Sequence, residues 1–201
     1  MLYFDKDTFF TIFVIISLLW LCYRIYSESA WFQLKCVVSD VNGRKYCLRE
    51  RSRINEASDL LAKVEDRCKN LVKHMETKYG DDKRIKRLSE GFKKTVIQET
   101  LPTSTLTAYS ENKGEKIAFC LAEKKDETKL IDLETLTFVA IHELSHIMTE
   151  SIGHKPEFWQ NFKFLLQGAK EAKIYMTQNF KKQPKEYCGM TIDDNPYYDY
   201  N

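Results

Sequence analysis

Residues 142–159 read His142-Glu143-Leu144-Ser145-His146-Ile147-Met148-Thr149-Glu150-Ser151-Ile152-Gly153-His154-Lys155-Pro156-Glu157-Phe158-Trp159, and the reading of the whole chain turns on them. Three of the chain's 4 histidines lie here. Two histidines four apart on a helix project from one face, one turn apart, so both imidazoles can reach one metal ion. Glu143 follows the first of them, about 100° around the helix, where its carboxylate can meet a water in the metal's open position. A catalytic zinc site uses three protein ligands and keeps a fourth position for water, whose pKa it lowers toward about 7. His154 is the first candidate for the third ligand, because Gly153 lets the chain leave the helix through a left-handed conformation and turn back. Glu150, Glu157 and the Asp193-Asp194 pair are the alternatives.

The surroundings support a helix carrying this motif. Asp132 is a suitable N-cap for an amphipathic helix from about Leu133 to Ser151, with Val139, Ile141, Leu144 and Ile147 as apolar neighbours of the motif. Pro156 suits the first turn of the next helix, from about Pro156 to Phe180, with Phe158, Trp159, Phe162, Phe164, Leu165, Leu166 and Ala169 on its buried side. Upstream, apolar residues at three- and four-residue steps predict a long helix from about Asn55 to Tyr79, ended by Gly80. Asp81-Asp82 caps a shorter one reaching about Phe92. Leu34–Ser39 and Arg44–Arg49 read as a hairpin around Asn42-Gly43, and Thr95–Glu99 as a strand. Thr105–Ser110 and Glu115–Glu123 read as a second hairpin around Glu111–Gly114, its latter strand burying one face through Ile117, Phe119 and Leu121. Lys124–Lys129 is a charged loop, and Tyr187–Asn201 an extended tail over the surface. These elements sum to an α+β domain.

The N-terminus is different material. Thr8–Tyr23 carries no charge, and Leu2, Tyr3, Phe4, Ile25 and Tyr26 extend it to the length needed to cross a bilayer. Asp5, Lys6 and Asp7 are the wrong flank for a cleaved signal peptide, so residues 1–30 read as a membrane anchor and 31–201 as the domain. Arg24, Lys35, Arg44, Lys45, Arg49, Arg51 and Arg53 follow the anchor, which makes it a single-pass span with the domain in the cytoplasm. Cysteine usage points the same way. Cys36, Cys47, Cys68, Cys120 and Cys188 form no CxxC pair, are odd in number and read as reduced thiols, with a Cys36–Cys47 bond across the hairpin as the alternative. A net charge of +2 over 201 residues, with 30% charged residues, gives no footprint of a nucleic-acid binder.

The segment HELSHIMTESIGHKPEFWQNF resembles the WLM branch of the zincin metallopeptidases, whose signature is HExxH, a short spacer, then His-x-x-x-Phe-Trp. Cys36–Pro196 also resembles WLM-like proteins of large DNA viruses and some of their algal hosts, through Thr107-Ala108-Tyr109, Asn112–Ile117, Phe119-Cys120-Leu121 and Tyr187-Cys188-Gly189. The resemblance implies a zincin-like fold, His142, His146 and His154 as ligands of Zn2+, Glu143 as general base, and a protein or peptide substrate. The seven-residue spacer between His146 and His154 is longer than the family's usual one. Better-known WLM proteins act on proteins cross-linked to DNA and carry partner-binding motifs after the peptidase domain; with an anchor in place of these, that substrate is not carried over. By analogy with zincins, the edge of the strand at Ile117–Glu123 can pair with an extended substrate, with core packing as the plainer reading. Tyr109, Tyr187, Tyr197 and Tyr198 are candidate oxyanion donors. Met190 reads as core filler, Cys120 as a buried thiol and His74 as a boundary histidine. The competing reading is a catalytically inactive, zinc-binding module tethered to the membrane, and a DNA-associated peptidase is the third.

Overall fold

The computed structural model describes residues 5–124 and 129–199; Leu2–Phe4, most of the charged loop and the last two residues lie outside them. The chain begins with α1 (Lys6–Glu28), capped by the Asp5 carboxylate, and every side chain along its apolar core is exposed. Its mean hydropathy of 2.0 and its 23 residues make it long and apolar enough to cross a membrane. A single turn, α2 (Ala30–Gln33), leads at once into the hairpin of β1 (Lys35–Val38) and β2 (Lys45–Leu48), whose turn uses Gly43 at φ 67°.

The body is built around α3 (Ile54–Tyr79), α4 (Lys83–Phe92), α5 (Leu133–Met148) and α6 (Pro156–Glu171). The three- and four-residue spacing of α3 buries Ala57, Leu61, Val64, Cys68, Leu71, Val72 and Met75. Asp82 caps α4 by accepting from the Arg84 amide, and Asp132 caps α5 by accepting from that of Thr135. Expected to be amphipathic, α5 is instead buried nearly all round, from Leu136 through Met148. That is the pattern of a central helix, and α3, α4, α6 and β4 (Ala108–Glu111) all pack on it.

A three-stranded sheet lies beside α5 in the order β3 (Val96–Glu99), β5 (Lys116–Phe119), β4, with β3 parallel and β4 antiparallel to β5. The second hairpin is therefore real, but β5 is the middle strand. Ile117, Ala118, Phe119, Cys120 and Leu121 are all fully buried, so both faces are covered, not one. Its edges are already occupied, and the outer strands of the sheet are β3 and β4.

Two further expectations fail. The last helix stops at Glu171, not Phe180, because Lys173 turns the chain at φ 56° while the amides of Ile174 and Tyr175 both return to the Ala169 carbonyl. The expected tail is a built element: β6 (Lys185–Tyr187) pairs with β7 (Met190–Ile192), and a 3₁₀ turn (Pro196–Tyr198) follows.

Nor are the cysteines reduced. Cys36 bonds Cys47 directly across the first hairpin, and Cys120 at the end of β5 bonds Cys188. The odd cysteine is Cys68, buried in α3, while Cys22 lies exposed on α1. Stable disulfides belong to oxidising surroundings. The thiol argument for a cytoplasmic domain therefore fails, and that expectation rests on the basic flank alone. Alkylation of the unreduced, denatured chain should label only Cys22 and Cys68 of the 6 cysteines; labelling of all six would refute the pairing.

Candidate metal centre

Positions 142 and 146 stack on the α5 face that looks toward α6. The loop after α5 returns through Gly153 at φ 81°, the left-handed turn expected of it, and delivers His154 to the same point. The His154 Nε2 lies 3.0 Å from that of His142 and 3.1 Å from that of His146. Tetrahedral zinc, at about 2.0–2.1 Å from each nitrogen, separates its ligands by roughly 3.3 Å, so the triangle is close to the size the ion requires. Two of the acidic alternatives are engaged elsewhere. The Glu157 carboxylate accepts from the amides of Glu150 and Ser151, and Glu150 pairs with Arg87. Asp193 and Asp194 stand at the rim of the adjoining cavity.

The Phe158-Trp159 pair has a physical task here. The buried Phe158 ring packs at 4.8, 4.4 and 4.6 Å from the rings of His142, His146 and His154, a floor under all three. The Trp159 indole donates to the His154 carbonyl at 3.1 Å and stacks on its ring, fixing the return loop. Trp159 is thus half-exposed at the site, not on the helix's buried side as its spacing suggested.

Two cations that sequence reasoning did not single out hold the end of the metal helix. Lys113, in the turn between β4 and β5, donates to the carbonyls of Thr149 and Ser151. Arg87 of α4 donates to that of Met148. Helix C-terminal carbonyls have no intrahelical partner and carry partial negative charge, so both contacts favour the helix ending where it does. The Lys113 turn can approach because Gly114, at φ 106°, presents no Cβ to Ile147 and Gly91. The only signal for this was Lys-Gly in a hairpin turn.

Burial and the neighbouring imidazoles depress the His142 pKa to about 3, and burial with His154 brings His146 to about 4. Both are therefore neutral in the folded protein at any ordinary pH, the state a metal needs. Glu143 is buried, its Oε2 has no hydrogen-bond partner among the described residues, and burial pushes its pKa up to about 8. An orphaned carboxylate oxygen beside three converging imidazoles fits a site that holds a cation and its water. In metal-free protein the Glu143 contribution has a definite sign. Its folded pKa is raised, so the stabilisation is complete below pH 4.5 and lost as pH rises toward 8. Glu143→Gln should accordingly raise the melting temperature of metal-free protein more at pH 8 than at pH 5; an equal shift at both would contradict a desolvated carboxyl.

A cavity of about 350 Å³ opens beside His142, Glu143 and His154. Its walls come from α5, from Thr107 and Ala108 at the start of β4, and from the β6–β7 hairpin. The Cys120–Cys188 bond and the amides of Cys188 and Gly189, donating to Ala122 and Glu123, staple that hairpin in place. Met190 is no core filler: it is half-exposed on the wall, where its sulfur accepts from the Thr107 hydroxyl. Of the four candidate tyrosines only Tyr187 lines the cavity, and its hydroxyl donates to the Thr107 carbonyl. Tyr197 and Tyr198 bond Lys170 and Thr177 instead. His74 sits part-exposed on α3, 3.9 Å from Glu171, as a boundary residue.

The WLM domain matches residues 44–198, most of the 201-residue chain. The chain belongs to the WLM family. The match takes in every element from β2 to the 3₁₀ turn and leaves out α1. Two viral proteins are similar to this WLM chain. The uncharacterized protein R325 of Acanthamoeba polyphaga mimivirus is 27% identical over 163 residues, covering 79% of this chain and 82% of its own length. The uncharacterized protein 136R of Invertebrate iridescent virus 6 is 32% identical over 74 residues, 36% of this chain and 40% of its own. No solved structure matches.

Proposed function

We propose that this WLM protein is a membrane-anchored zinc metallopeptidase in which His142, His146 and His154 hold the metal and Glu143 is the general base. The observation that carries this reading is the convergence of three imidazoles beside a buried carboxylate with an unsatisfied oxygen, on the wall of an open cavity. Membership of a family associated with metallopeptidases supports it. Zinc, when bound, supplies the charge that polarises a scissile carbonyl and acidifies the attacking water. Glu143 accepts the proton of that water and delivers it to the leaving amine. Phe158 and Trp159 keep the imidazoles aimed, and Lys113 and Arg87 hold the helix end from which two of them project.

Substrate is a polypeptide in extended form, paired along the outer edge of β4 as an added strand. A candidate metal helix beside a sheet edge supports reading this α+β domain as zincin-like. Nucleic acid has no part in this reading. The anchor is α1, and its basic flank favours a cytoplasmic domain against the disulfides, so protease protection of the domain in sealed membranes decides the face. The competing reading, a zinc-holding module without activity, requires a fourth protein ligand. Cys188 is bonded to Cys120, which leaves Asp193 as the candidate. The test is hydrolysis of an unstructured protein such as β-casein by the full chain. Absence of new amino termini sinks the peptidase.

A further inference from the structure

The end of the anchor is hydrogen-bonded to the short piece of chain that leads into the wall of the cavity. Ser27, in the last turn of α1, accepts a 2.7 Å hydrogen bond at its carbonyl from the Thr103 hydroxyl. Thr107 and Ala108, four and five residues further on, line the cavity beside the imidazoles. Four residues of chain span at most about 14 Å, and a Leu101–Ser104 turn shortens this loop further. The loop is also fastened to the body, because the Arg49 guanidinium donates to the carbonyls of Thr100 and Leu101. Nor does a flexible linker separate anchor from domain. Only Ser29, the α2 turn and Leu34 lie between α1 and β1, and the Gln33 side-chain Nε2 donates back to the Tyr26 carbonyl.

An α1 of 23 residues is about 34 Å long, a little more than the hydrocarbon thickness, so Ser27 sits at the membrane surface. Trp31, Phe32 and Leu106 are exposed around this junction, the kind of side chain that settles at the lipid interface. The cavity itself is mostly apolar, through Phe138, Val139, Phe162 and Ile192, with Asp193 and Asp194 on its rim. Asp194 pairs with Lys181, whereas Asp193 is exposed and has no ion-pair partner among the described residues. Such a cleft suits an apolar residue next to a basic one, the composition of chain just outside a bilayer.

We propose that the substrate is the juxtamembrane stretch of a membrane-anchored polypeptide, cut within a few residues of the lipid surface. The inference rests on the metallopeptidase and anchor readings above and adds a ruler to them. The domain is held down at a fixed height, so a segment leaving the same bilayer reaches the metal centre after roughly 5–8 extended residues.

The test uses the full chain, zinc-loaded, in phosphatidylcholine vesicles. β-Casein joined to a lipid at its N-terminus is compared with the same casein free in solution, and cut positions are mapped by mass spectrometry. Tethered casein should be cut predominantly within its first 15 or so residues, and faster than free casein by at least tenfold. Inserting about 30 Gly/Ser residues between Ser29 and Ala30 should spread the cuts outward and leave hydrolysis of free casein unchanged, since such a linker spans about 30 Å. Cut positions indifferent to the tether, or to the insertion, would overturn the ruler and leave the peptidase standing. No cleavage of either casein would overturn both.

Discussion

Glu143→Gln is expected to lower peptide hydrolysis by about 10²–10⁴-fold, the usual contribution of a positioned general base. It should do so without loss of zinc. The substitution keeps the size of a side chain that is 3% exposed and removes only its ability to take a proton. Glu143 lies outside the imidazole triangle, so the ligand set stays whole. Removing an ionisable group that burial holds near a pKa of about 8 also lightens the desolvation burden, and the variant should fold at least as well as the parent. The measurement is zinc content together with the rate of casein cleavage for both proteins. Full zinc with lost cleavage is the expected pair of results. Equal cleavage by both would remove Glu143 from the chemistry and return the site to the inactive-module reading.

His154→Ala should act on the metal instead. Losing a mere outer partner of a ligand costs 10–100-fold in metal affinity, so loss of a ligand should exceed about 100-fold. The residue sits on a solvent-facing return loop, not in the core, so the fold should survive. Competition with a chromophoric chelator measures the change. An unaltered zinc affinity would pass the third position to another group, such as Asp193 on the cavity rim. This position carries the long spacer. The seven residues from Ile147 to Gly153 accommodate the last residues of α5, then a loop whose ends are held by Lys113 and by Glu157, before His154 returns. The extra length is taken up in loop and does not displace the imidazole.

What could be read from the sequence followed local signals. α3 carries an apolar stripe over seven turns and stops at Gly80, so its limits were predictable within a residue. The metal helix was marked by Asp132 at one end and its motif at the other, and Gly153 announced the return of His154 because few other residues take that backbone conformation readily. What escaped depends on contacts distant in sequence. The end of α6 uses Lys173 in a left-handed conformation where glycine would have been the signal, and Tyr175 and Phe180, buried beyond it, prolong an apolar spacing that looks helical. β6 and β7 are three residues each, too short for any alternation to register, and the bond from Cys188 to Cys120 crosses 68 residues. The wall of the cavity was therefore invisible even though the metal triad on its floor was not. β5 looked one-sided because Ala118 and Cys120 are small; their burial on the second face follows from α5 lying where only the assembled fold puts it.

The central claim is that the converged imidazoles make a zinc-dependent peptidase, and add-back of zinc tests it most directly. The full chain is stripped with a chelator, zinc is returned in increments, and casein cleavage is followed at each step. Cleavage should be absent in the stripped protein, rise in proportion to zinc and level off at one equivalent. Cleavage that persists after stripping, or that never appears at any zinc loading, would contradict the account.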